Sequence, residues 1–120
     1  MLLKYTPNRY EEFVTGCVRY LFSEEGRKLA EHEAAHFNKL IELGCRPTHY
    51  VIILTNSSDP LLEGASIDFD EDKVSARELA IAALAPRDVS VRDLRTASKV
   101  FSRQERRLIW ENNRKQEAIA

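Results

Sequence analysis

The strongest constraint on this chain is a helical run from Ser23 to Leu43 that carries charge where a core should be. A helix advances about 100° per residue, so Leu40, Phe37, Ala30, Ile41, Ala34 and Leu43 fall in one continuous apolar arc. Arg27, Lys28, Glu31, Asn38, Lys39 and Glu42 occupy the opposite side. Glu33 lies near the middle of the apolar arc, between Leu40 and Phe37, and His32 and His36 lie within the arc or at its edge. A carboxylate without partners there carries a heavy desolvation cost or stays protonated. A solvated charge face is therefore excluded. A functional cluster, or a buried His/Glu network satisfied by neighbours, remains.

These residues spell His32-Glu33-Ala34-Ala35-His36, an H-E-x-x-H pattern. Positions i and i+4 project from nearly the same side of a helix, so two imidazoles can reach one metal ion. Glu33 points about 100° away from His32, which sets it beside such an ion, where it can accept a proton from an activated water. A catalytic zinc wants three protein ligands and one open position. The third ligand must come from downstream, where His49, Glu63, Asp68, Glu78 and Asp93 are the candidates. Glu78 and Asp93 both stand third in a capping box, Ser75-x-x-Glu78 and Ser90-x-x-Asp93, so position does not separate them.

The flanking segments supply the fold class. Thr6-Pro7-Asn8 marks a helix entry, and Tyr10, Phe13, Val14, Cys17, Val18 and Leu21 recur at helical spacing after it. Gly44 and Pro47 stop the metal-motif helix. Residues 48–55, THYVIILT, read as a strand, and GASIDFD from Gly64 as its antiparallel partner. Ser75 opens a helix ending at Pro86, and Ser90 opens another lined by Val91, Leu94, Val100 and Phe101. Ser102-x-x-Glu105 opens or kinks a last helix bearing Leu108, Ile109 and Trp110, whose indole is expected in the core. Helix–helix–strand–strand–helix–helix predicts one α+β domain over residues 1–120, mainly helical, with a short β-hairpin.

A net charge of -1 with interspersed signs shows no basic stripe for nucleic acid. No apolar run nears the roughly 20 residues that span a bilayer, and the N-terminal stretch has no secretory h-region. Two cysteines, Cys17 and Cys45, form neither a disulfide framework nor a CxxC knuckle, in keeping with a reduced, cytoplasmic setting.

Between about residues 29 and 101 the sequence resembles the peptidase domain of the FtsH-type AAA zinc proteases. HEAAHFNKLIELG looks like that family's zinc helix, and PTHYVIILTNSSDPLLEGASI is similar to its following β-hairpin. ARELAIAALAP sits where the family has a small-residue-rich helix, and VRDLRTASKVF is similar to its D-L-x-x-A-T/S segment. The resemblance implies a zincin-like fold, Zn²⁺ as cofactor, and Asp93 as third ligand beside His32 and His36. Glu33 would then be the catalytic base of a zinc metallopeptidase.

Gly64, Ala65, Ser66 and Ile67 would offer backbone groups to an extended substrate by strand addition. No G-x-x-x-x-G-K-[ST] phosphate loop occurs, so the expected substrates are peptides or unfolded segments, unless an ATPase acts in trans. The alternative expectation is an inactive protease-like module that binds or regulates other proteins.

Overall fold

The computed structural model describes residues 1–119. Strand β1 (Leu2–Tyr5) leads through a 3-10 turn at Pro7–Arg9 into helix α1 (Tyr10–Leu21) and then α2 (Glu25–Glu42). Strands β2 (Pro47–Leu54) and β3 (Leu62–Phe69) follow, then α3 (Ala76–Ala83), α4 (Val91–Ser98) and α5 (Arg103–Ile119). The result is an α+β fold, mainly helical, with one antiparallel sheet ordered β1-β2-β3.

The expected hairpin is present, with Tyr50 opposite Ile67 and Ile52 opposite Ala65. The sheet also holds a third strand that sequence patterning does not reveal. β1 pairs with β2 from Leu2 opposite Ile53 to Tyr5 opposite Tyr50. Four residues ahead of a proline are too few for alternation to stand out; the strand exists because β2 offers it an edge. The helix entry also differs from expectation: Thr6-Pro7-Asn8 forms the 3-10 turn, with no side-chain cap, and α1 begins at Tyr10.

Local signals fix the other boundaries. At α2 the expected Ser23 cap is not made: the N-cap is Glu24 without a side-chain cap, and Ser23 Oγ accepts from the Glu25 N–H at 3.1 Å. Gly44, at φ +83°, closes α2, with its N–H on the Ile41 carbonyl and the Cys45 N–H on that of Leu40. Ser75 with Glu78, Ser90 with Asp93 and Ser102 with Glu105 all close reciprocal capping boxes.

α1 and α2 cover the sheet with a core of Phe13, Val14, Cys17, Ala30, Phe37, Tyr50, Ile52 and Leu54. Tyr50 lies between two stacked rings, Phe13 at 4.9 Å and Phe37 at 4.3 Å between centroids. The two helices meet closely at Gly26, where a Cβ would stand 2.5 Å from the Cys17 carbonyl carbon and the Val18 nitrogen. Those atoms are backbone and cannot swing aside. Gly26→Ala is expected to destabilise the fold by about 2–3 kcal/mol, read from urea denaturation. A change under a few tenths would show that the two backbones are not in contact.

A second cluster joins Ala80, Leu84, Ala97 and Phe101, and a third joins Leu40, Cys45 and Ala82. The apolar line expected on α4 is not buried as a line. α4 packs on α3 through small residues, Ala97 against Ala80, and this leaves Val91, Leu94 and Val100 exposed while Phe101 is buried. Trp110 is only half-buried, with the Arg114 guanidinium 5.0 Å from its ring. No helix among the described residues is long and apolar enough to cross a membrane.

Candidate metal centre

The buried stripe of α2 runs Ala30, Glu33, Phe37, Leu40, so a carboxylate 8% exposed occupies a core position. One step around the helix, His32 and His36 face the start of α4 with side chains only 12% exposed. Asp93 meets them there. The Nε2 atoms of His32 and His36 are 3.1 Å apart. His32 Nε2 lies 3.0 Å from Asp93 Oδ2, and His36 Nε2 lies 3.2 Å from Asp93 Oδ1.

The outer nitrogens are also held. His36 Nδ1–H donates to the Ala82 carbonyl at 2.8 Å, and His32 Nδ1–H donates to the Asp88 carboxylate at 3.0 Å. Both partners are pure acceptors, so each ring carries its proton on Nδ1 and turns Nε2 inward. Asp93 is aimed by its capping box: the Ser90 N–H donates to Oδ2, and the Asp93 N–H donates to Ser90 Oγ. Its structural role as a cap and its place in the cluster coexist.

Two inward lone pairs and a carboxylate so close together require positive charge between them, either protons or a metal ion. Zinc bonds of about 2.0–2.1 Å in tetrahedral array place ligand atoms about 3.3 Å apart, close to the three separations found. Two imidazoles and a carboxylate suit zinc chemically, and the ligand atoms all lie within 4.8 Å of one another. The residues present therefore fit the ion.

The electrostatics show the cost of leaving the centre to protons. The Asp93 hydrogen bond, assisted by Asp88, raises the His32 pKa to about 9 against the effect of burial. Burial pushes His36 down, but Asp93 and the Ala82 carbonyl outweigh it and leave its pKa raised. Burial opposes charge on Asp93, yet hydrogen bonds from both histidines hold its carboxyl far below the ordinary carboxylate range. Burial lifts Glu33 to about 7, tempered by the same histidines.

No protein-family model, curated protein or solved structure matches the sequence.

The other candidate ligands lie elsewhere. Glu78 is held in its cap and accepts from Cys45 Sγ at 3.5 Å. Asp68 pairs with Lys4 at 2.8 Å, His49 Nδ1 sits 3.0 Å from Thr48 Oγ1, and Glu63 is exposed on β3. Of the proposed substrate strand, Ala65, Ser66 and Ile67 line the cleft beside Glu33, His36 and Asp93, whereas Gly64 does not.

Asp88 and the Ala82 carbonyl carry no signal in the sequence. Asp88 lies in the segment between α3 and α4, 56 positions from His32, and no spacing rule links the two. Asp88→Ala is expected to weaken zinc binding about tenfold, measured by competition with a chromophoric chelator. Unchanged affinity would mean that His32 is oriented without it.

Proposed function

We propose that the protein is a zinc-dependent peptidase, a counterpart of the FtsH-type peptidase domain. The observation that carries this reading is the convergence of His32, His36 and Asp93 on one point, with the buried Glu33 carboxylate beside them. His32, His36 and Asp93 would hold the ion. When bound, zinc supplies Lewis-acid chemistry, lowering the pKa of water toward about 7 and polarising a carbonyl.

The protein's own residues do the rest. Glu33, buried beside the three ligands, is placed to take a proton and return it to a leaving amine. Leu40 and Ala83 give the cleft apolar lining beside it. β3 is an edge strand, and its stretch from Ala65 to Ile67 borders the cleft, so an extended peptide can lie along it. Peptides and unfolded segments are the expected substrates, reached directly or handed over by an ATPase in trans.

Metal analysis of freshly purified protein tests the reading. About one zinc per molecule is expected, absent in His36→Ala, together with casein cleavage that stops on chelation and returns with added zinc. No metal taken up, or cleavage indifferent to chelator, would reject it and favour a binding module.

A further inference from the structure

The cleft facing Glu33 holds about 250 Å³, room for one large side chain rather than a whole small-molecule ligand. Leu40, Ile67, Phe69 and Leu79 give it an apolar lining next to the edge strand. Its polar end holds Glu33, His36 and Asp93, and one further charge, Arg92. Arg92 precedes Asp93 in the first turn of α4 and is exposed at the rim. Arg107 and Arg114, on α5, pair with Glu111 and Glu117. Among the described residues no carboxylate pairs with Arg92. A guanidinium presents its donors as a planar fork that fits a carboxylate through two hydrogen bonds. Its place in the cleft lets it meet a peptide lying along β3.

We propose that the cleft reads a two-part feature of an extended peptide: an apolar side chain seated against Leu40, Ile67, Phe69 and Leu79, and a carboxylate bound by Arg92. This deepens, and rests on, the peptidase reading of the same site. The carboxylate is either the free C-terminus of the peptide or an acidic side group next to the apolar residue. The first source would make the protein act near substrate ends, and the second would make it select acidic–apolar sequences.

Fluorescein-labelled Gly-Ser-Gly-Gly-Leu-Gly peptides decide between these, one with a free C-terminus, one amidated, and one amidated with Glu as the last residue. Binding to the zinc-treated Glu33→Gln protein is followed by anisotropy, so that cleavage does not intervene. At least one carboxylate peptide is expected to bind about tenfold more tightly than the neutral one. Arg92→Ala should erase that difference, and Arg95→Ala, which removes an exposed charge outside the cleft, should keep it. Replacing Leu with Ser should weaken every peptide.

Equal binding of all three peptides, or a preference that survives Arg92→Ala, overturns the proposal. The same peptides given to the unaltered protein separate the two readings. Binding as described without cleavage removes the peptidase and leaves the subsite. Cleavage indifferent to the carboxylate removes the subsite and leaves the peptidase.

Discussion

Glu33→Gln is expected to lower peptide cleavage by about 10²–10⁴-fold while zinc stays bound at about one per molecule. The amide matches the carboxylate in size, so the cleft keeps its shape, but it cannot take up a proton. Glu33 is 8% exposed and sits one residue from His32, with its carboxylate free of any hydrogen bond that would give it a purely structural purpose among the described residues. Stability should hold or rise, since the substitution removes a carboxylate that burial has lifted to about 7. Cleavage and zinc content are measured on the same preparation. Full activity with zinc in place would remove Glu33 from the chemistry. Loss of zinc would instead make it part of what holds the ion.

The metal-free protein is expected to lose about 5 kcal/mol of stability as pH rises from 5 to 9. Glu33, His32 and His36 drive this in the same direction, and the first two set its size. Glu33 rises from 4.5 to about 7 on folding, so its contribution is full below pH 4.5 and is lost as pH climbs through 7. His32 rises from 6.5 to about 9, so its contribution is full below 6.5 and is lost through 9. Asp93 acts with the opposite sign, but its depressed pKa confines its effect to strong acid.

Zinc should reverse the trend. It binds neutral imidazoles, so protons compete with it and its stabilisation grows with pH. Thermal melts at pH 5, 7 and 9, with chelator and with zinc, should therefore give lines of opposite slope. A flat metal-free profile would mean that the cluster carries no shared charge in solution.

Much of the fold is legible in the sequence because its decisive signals are local. Each Ser-x-x-acid motif opens the helix it marks, Gly44 closes α2, and the breakers around residues 48–55 bound a strand that central placement then buries. The wheel of α2 puts Glu33 among Leu40 and Phe37, which is where it lies. What stays hidden depends on partners distant in sequence. β1 is a strand only because Ile52 and Ile53 stand across from Leu3 and Leu2. Asp88 reaches His32 only because α3 folds back on α2. The apolar residues of α4 mislead because two alanines, Ala80 and Ala97, suffice for a close helix contact and leave the larger side groups outside. Spacing alone leaves Glu78 and Asp93 equal; packing puts Cys45 beside one and two histidines beside the other.

The capping box at Ser90 has a consequence for how the two halves of the molecule are joined. The aromatic core on the sheet and the alanine-rich core of α3, α4 and α5 have no residue in common. His32 and His36 stand on the first half, and Asp93 on the second. An ion held by all three would act as a second fastener along the seam that Leu40, Cys45 and Ala82 already pack, its far end anchored by a serine that starts a helix. Catalyst and fastener would then be the same atom, and a protein stripped of it would keep that apolar contact as its hold along the seam.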